Sequence, residues 1–163
     1  MIYYLNKGVE NLVMWQYKHF QELSAHDFHQ IIKERTKTFV VEQGCAYQEV
    51  DDIDLRALHL IKKQKNSLKA YARIYKEDNK IKVGRLFVPG EYRNQGHGGE
   101  LIKTALDYVA CHYPNSEVTV QAESFLKGFY EKFGFETVSD LYYEYDIGHY
   151  NMTLVKRVPV LQN

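Results

Sequence analysis

Leu68, Ala70, Ala72 and Ile74 alternate with Lys69, Tyr71, Arg73 and Tyr75. A period of two sends successive side chains to opposite faces, so this segment predicts a half-buried strand. Residues 58–62 read as a strand before it. The polar run Lys76-Glu77-Asp78-Asn79 predicts a turn, and residues 81–88 predict a further strand that completes a hairpin. Upstream, residues 15–20 form a short strand. Ser24 with Asp27 three positions later is a helix-start signature, in which each side chain can satisfy backbone donors of the first turn. Phe28, Ile31, Ile32, Arg35 and Phe39 then recur at helical spacing, with Arg35 the polar exception.

Beyond residue 88 the alternation stops. Pro89-Gly90 breaks the strand, and a polar loop leads to Gly96-His97-Gly98-Gly99. Leu101, Ile102, Ala105, Leu106 and Val109 form one apolar stripe of a helix, which Pro114-Asn115 ends. Val118 and Val120 mark a strand. Phe125, Leu126, Phe129, Tyr130 and Phe133 mark another helix, with Gly134 in its C-terminal cap. Two strand-like runs follow, at 137–145 and 150–155. The order β-α-β-β-β-α-β-α-β-β predicts a mixed α/β sheet, not a doubly wound one. Residues 1–13 join no pattern and are expected to be an extension, with Met14 an alternative start; residues 14–163 form a single domain.

Composition narrows the function classes. With 21 basic and 21 acidic side chains in 163 residues, a dedicated nucleic-acid binder is disfavoured, because such proteins rely on neutralising phosphates. No apolar run approaches the ~18 residues of a membrane span. Cys45 and Cys111 make no disulfide framework, and a reducing, cytoplasmic setting is expected. His19, His26, His29, His59 and His112 show no metal-ligand spacing, so no metal is expected. Residues 49–54 hold four acids and no base. They read as a solvated loop, or as a patch that attracts a cationic amine.

The chemistry concentrates in Leu86-Phe87-Val88-Pro89-Gly90-Glu91-Tyr92-Arg93-Asn94-Gln95-Gly96-His97-Gly98. A strand ends there, a glycine-bearing loop follows and a helix begins. The first N–H groups of a helix lack intrahelical partners and lie at the positive end of its dipole, which makes an anion site. Gly96 and Gly98 let the backbone approach phosphate oxygens, and Arg93 either adds a charged contact or shapes the loop. No Gly-Lys-Ser/Thr follows and no third glycine completes GxGxxG, so neither of those phosphate motifs is present.

Arg93, Gly96 and Gly98 fill the pattern Arg/Gln-x-x-Gly-x-Gly/Ala, and Phe129-Tyr130-Glu131-Lys132-Phe133-Gly134-Phe135 matches a later helix ending in Tyr-x-x-x-Gly-Phe. In both, the chain resembles the GNAT superfamily of acyl-CoA-dependent N-acyltransferases. A narrower resemblance, to its ElaA-like branch, is carried by Arg35, Phe39, Val40, Val41, Glu42, Gln43, Cys45 and Tyr47, by Ala70-Tyr71-Ala72-Arg73-Ile74, by Gly84-Arg85 and by Gln121-Ala122. It runs from about Trp15 to Thr153. Two departures stand out: Glu144-Tyr145-Asp146-Ile147-Gly148-His149 replaces Glu-Asp-Gly-Ile-Pro-His, and Glu123 stands where many superfamily members have Asn.

The resemblance implies a bent, mixed, mostly antiparallel sheet flanked by helices, opening between two central strands to admit acetyl-CoA as co-substrate. Residues Leu86, Phe87 and Val88 would meet the pantetheine arm, and Arg93, Asn94, Gln95, Gly96, His97, Gly98 and Gly99 the pyrophosphate. His97 would act through its backbone, with its side chain exposed. Tyr130 would give a proton or hydrogen bond to the leaving thiol, and Glu144 would serve catalysis. Glu42, Gln43 and His149 would line the amine side, with Glu42 alternatively capping the preceding helix. The expected reaction is direct transfer of acetyl from the thioester to an amine, small or peptidic, without a covalent enzyme intermediate. The alternative is a non-catalytic acyl-CoA sensor or scaffold of the same fold.

Overall fold

The computed structural model describes residues 13–155. Residues 1–12, all but the last position of the expected extension, lie outside them. Val13 itself opens the first strand, paired with Gln64. The elements are β1 (Val13–His19), α1 (Ala25–Arg35), α2 (Ile53–Arg56), β2 (Leu58–Gln64), β3 (Ser67–Glu77), β4 (Lys80–Phe87), α3 (His97–His112), β5 (Val118–Glu123), α4 (Lys127–Glu131), β6 (Phe135–Thr137), β7 (Tyr142–Glu144) and β8 (Ile147–Leu154). One sheet runs β1-β2-β3-β4-β5-β8-β6, with β7 also on β8. All pairings are antiparallel except β4 with β5, so the expected mixed, mostly antiparallel sheet is what forms. Among the described residues, no helix is long and apolar enough to cross a membrane.

The period-two pattern decides which helix covers which face. Leu58 and Leu60 on β2, with Ala70, Ala72 and Ile74 on β3, pack under Leu101, Ile102, Ala105 and Val109 of α3. Ile61, Tyr71 and Phe87 point the other way and meet Ile31 of α1, and Leu68, expected on the face of Ala70, joins them because the β2–β3 register shifts between Lys62 and Lys63. Lys62 and Lys63 obey the same alternation: Lys62 reaches Glu100 on α3, and Lys63 reaches Asp27 on α1.

Several expectations need correction. Ser24 does cap α1, accepting the Asp27 N–H at 3.0 Å, but the Asp27 carboxylate turns to Lys18 and Lys63 instead of closing a capping box. The helix expected to run through Phe39 ends as α-helix at Arg35 and continues as a π-helix, Thr36–Val41. Phe125 and Leu126 lie in a 3-10 turn before the short α4, and Phe133 falls beyond its end. The C-terminal third has three strands, not two. Tyr145 and Asp146 both take positive φ, +50° and +63°, the conformation of a two-residue hairpin turn. That turn divides residues 142–154 into β7 and β8.

Most of the acidic run is paired and not solvated, Asp52 being the exposed exception. Arg35 is fully buried, with Nε 2.9 Å from Glu49 and Nη1 2.6 Å from Asp54. Arg73 binds Asp51 at 2.6 Å and Asp54 at 2.9 Å, and Arg85 binds Glu49 at 2.8 Å. Three arginines neutralise three of the four acids, and this fixes the 49–54 loop to β3 and β4. A buried charge is tolerated only when paired in this way, so the run does not serve as a free attractor for cations.

The sheet opens at its centre. β4 and β5 pair only at Ile81–Val118 and Lys82–Thr119. Past that point β4 carries a bulge: Gly84 faces Arg73 and Phe87 faces Tyr71, so two residues, Arg85 and Leu86, stand opposite Ala72. Arg85 sits at φ +50°. An extra residue of this kind bends the strand that carries it, and the second half of β4 diverges from β5.

Candidate active site

Between the diverging strands lies a cleft of about 750 Å³. Residues 83–87 of β4, with Val88 just after it, form one wall. Gln121 and Glu123 of β5, with Phe129 and Tyr130 of α4, form the other. Of the residues expected to serve a site, Leu86, Phe87, Val88, Arg93, Asn94, His97, Gly98, Tyr130, Glu144, Glu42, Gln43 and His149 all line it. Gln95, Gly96 and Gly99 do not; Gln95 turns its amide back to the Glu91 carbonyl at 3.2 Å.

One end of the cleft meets the start of α3. Gly96 is its N-cap at φ +84°, a conformation that favours glycine. The first backbone bond there runs from the Glu100 N–H to the Gly96 carbonyl, so the earlier N–H groups of the turn have no intrahelical acceptor. A Cβ at Gly98 would lie 3.8 Å from the Phe129 ring and 3.9 Å from Val88, so the helix end and both walls are already in contact there. Arg93 takes the loop-shaping role: Nε donates to the Val88 carbonyl at 3.0 Å and Nη2 pairs with Glu42 at 2.6 Å. His97 corrects the expectation of an exposed side chain, because Nδ1 lies 2.9 Å from the Lys62 ammonium.

Tyr130 of α4 lines the cleft. Its ring packs edge-on against Phe129 and Phe135, and the residue is 5 % exposed. Burial pushes the phenol well above its ordinary pKa, and the Glu123 charge adds to this, so the hydroxyl stays a neutral donor at any working pH.

The far end holds the residues expected to line the amine side. Glu123, His149, Ile147 and Glu144 share one sheet face: Glu123 is directly opposite His149, and Glu144 directly opposite Ile147, two residues earlier on β8. Gln43 donates to Glu123 at 2.6 Å, which joins the loop after the π-helix to the tip of β5. His149 Nδ1 is 2.8 Å from the Ile147 carbonyl. A carbonyl only accepts, so Nδ1 carries a proton in this contact, which leaves Nε2 as the acceptor whenever the ring is neutral. Glu144 is exposed, beside the hairpin turn. The Tyr47 and Tyr145 rings meet at a tilt, 5.3 Å apart, at this end, and Cys45 is buried nearby, its Sγ 4.0 Å from the Tyr145 carbonyl.

Sequence reasoning placed most of this wall but gave little weight to Glu123, Gln121, Tyr47 and Phe125. Glu123 had a signal: it stands seven residues before Tyr130, on a strand that must end beside the same helix.

Comparisons with known proteins agree with this geometry. The acetyltransferase (GNAT) domain family matches residues 19–156. Protein ElaA of Escherichia coli is 34% identical over 146 residues, which cover 86% of this chain and 95% of ElaA. The crystal structure of E. coli ElaA superposes with a TM-score of 0.83 at 35% identity, over 87% of this chain and 99% of that one. The crystal structure of an acyl-CoA N-acyltransferase from Pseudomonas aeruginosa gives 0.84 at 32% identity, over 88% and 99% of the two chains.

Proposed function

The chain belongs to the GNAT acetyltransferase family, and from that premise we propose that it moves an acetyl group from the thioester of acetyl-CoA to an amine by direct transfer. The observation that carries the reading is Tyr130, a buried neutral phenol among the residues that line the gap where β4 leaves β5. The cleft fits the co-substrate. The N-terminus of α3 offers N–H groups to a pyrophosphate, with Asn94 and Gly98 beside it. The bulged stretch Arg85-Leu86, unpaired with β5, has backbone groups free for an amide-bearing arm. The thioester supplies an activated acyl carbon.

The protein's own part is then orientation and proton handling. An amine arrives as an ammonium without a lone pair, so a base must take its proton. Glu123 and Glu144, neither in an ion pair among the described residues, give the acceptor end a negative potential that favours such a cation. His149, opposite Glu123 and with Nδ1 turned to the Ile147 carbonyl, takes the proton on Nε2; exposed Glu144 serves to draw the amine in, a different share of the work from the catalytic role expected of it. Attack forms the C–N bond and breaks the C–S bond, the electron pair departs on sulfur, and the second proton that the nitrogen must shed passes to water, leaving the neutral amide. Tyr130 stabilises that thiolate, whose conjugate thiol has a pKa of ~8.5 in its free form. The amine itself is the nucleophile on this path, which is what direct transfer means.

The test has two parts. Calorimetry should show acetyl-CoA binding to the purified protein. A panel of primary amines, followed by free-thiol release and by mass, should then yield at least one acetylated product. Binding without any turnover would leave the sensor reading in its place.

A further inference from the structure

We propose that Lys62 is a positioning residue for the anion end of the cleft: it holds His97 in the tautomer whose Nε2–H is free to donate to the pyrophosphate, adding a side-chain donor to those of the α3 backbone. The inference rests on the acetyl-CoA reading above.

Lys62 lies on β2 with its side chain only 4% exposed. Its ammonium pairs with Glu100, sits 5.4 Å from the centroid of the Trp15 ring and lies 2.9 Å from His97 Nδ1. Trp15 is the residue directly across from Lys62 on β1, so the lysine is clamped between an edge-strand aromatic and the first turn of α3. An ammonium has three donors and no acceptor. The 2.9 Å contact therefore requires Nδ1 to present its lone pair, and the single proton of the neutral ring is on Nε2. Burial and the Lys62 charge both hold the His97 pKa below its ordinary value, which keeps the ring in that neutral form. His97 is the first residue of α3, and it lines the cleft with Asn94 and Gly98. With Nδ1 occupied, Nε2–H is the ring donor left for an anion there. Lys69, stacked on Tyr92 at 3.3 Å, adds positive potential at the same end.

The experiment is calorimetry on the full chain with acetyl-CoA and with S-acetylpantetheine, which lacks the pyrophosphate. His97→Ala should weaken acetyl-CoA by about tenfold, the size of one hydrogen bond to a charged group, and leave S-acetylpantetheine unchanged. His97→Gln, with an amide N–H near the place of Nε2, should recover most of the loss. Lys62→Met should weaken acetyl-CoA similarly, and add nothing in the His97→Ala background. Equal losses for both ligands, parental affinity in His97→Ala, or full additivity of the two changes would overturn the proposal. Ring nitrogen chemical shifts of His97 in the unliganded parent give a test independent of any variant's folding: an Nδ1–H tautomer overturns it, and an Nε2–H tautomer supports it. A parent that binds neither ligand refutes the acetyl-CoA reading instead, while the tautomer still reports on Lys62.

Discussion

The Arg93 guanidinium lies 2.6 Å from the Glu42 carboxylate. This contact ties the glycine loop before α3 to the end of the π-helix, so the two ends of the cleft are mechanically joined. The partners are 43% and 31% exposed, and such pairs contribute ~0–1 kcal/mol. Glu42→Gln should therefore change stability by less than about 1 kcal/mol. Arg93→Ala also removes the bond to the Val88 carbonyl, and acetyl-CoA affinity should fall by about tenfold. Calorimetry decides, and parental affinity in Arg93→Ala would mean that the loop holds its shape without that side chain.

Gly98 separates folding from ligand approach. A methyl group there meets Phe129 at an ordinary contact distance of 3.8 Å, so Gly98→Ala should fold normally. Gly98→Glu adds bulk and negative charge where an anion is to sit. Acetyl-CoA affinity should drop modestly in the first variant and be abolished in the second, with thermal unfolding confirming that both are folded. Unchanged binding in Gly98→Glu would remove the pyrophosphate from this helix end.

Much of this end of the site was legible in the sequence because it is local. Strand, glycine loop and helix are contiguous, and helix ends bind anions wherever they occur. The splay was not legible, since it depends on where β5 stops pairing and on a bulge at Arg85, a residue that gives no local sign of positive φ. The third C-terminal strand was hidden for a related reason: its turn is Tyr145-Asp146, without the glycine that usually marks such a hairpin. The run at 49–54 looked solvated because its partners Arg35, Arg73 and Arg85 come from three separate elements. Lys62 ends the stretch read as a strand at 58–62, and only the register of β2 turns it toward α3.

Asp27 gives a pH-dependent prediction. Burial raises its carboxyl pKa, but hydrogen bonds from Lys18 and Lys63 outweigh this and hold it below the usual carboxylate range. A lowered folded-state pKa contributes stability that is complete above the unfolded value of ~3.9 and is lost as pH falls below it. Asp27→Asn leaves buried Lys63 without its carboxylate and should cost about 1–3 kcal/mol at pH 7. Denaturant unfolding should show this gap between variant and parent narrowing by pH 3; a gap of the same size at both pH values would contradict the role given to the charge.

The central claim is tested most directly by Tyr130→Phe, measured with an amine that the parent acetylates. Phenylalanine keeps the ring and its packing against Phe129 and Phe135 and removes only the donor. General-acid catalysis is worth ~10²–10⁴-fold in rate. The variant should therefore bind acetyl-CoA as the parent does, while kcat falls within or near that range, and less so with an acyl donor whose leaving thiol is more acidic. A variant that acetylates the amine at the parental kcat would contradict the account, leaving Tyr130 a packing residue of the core.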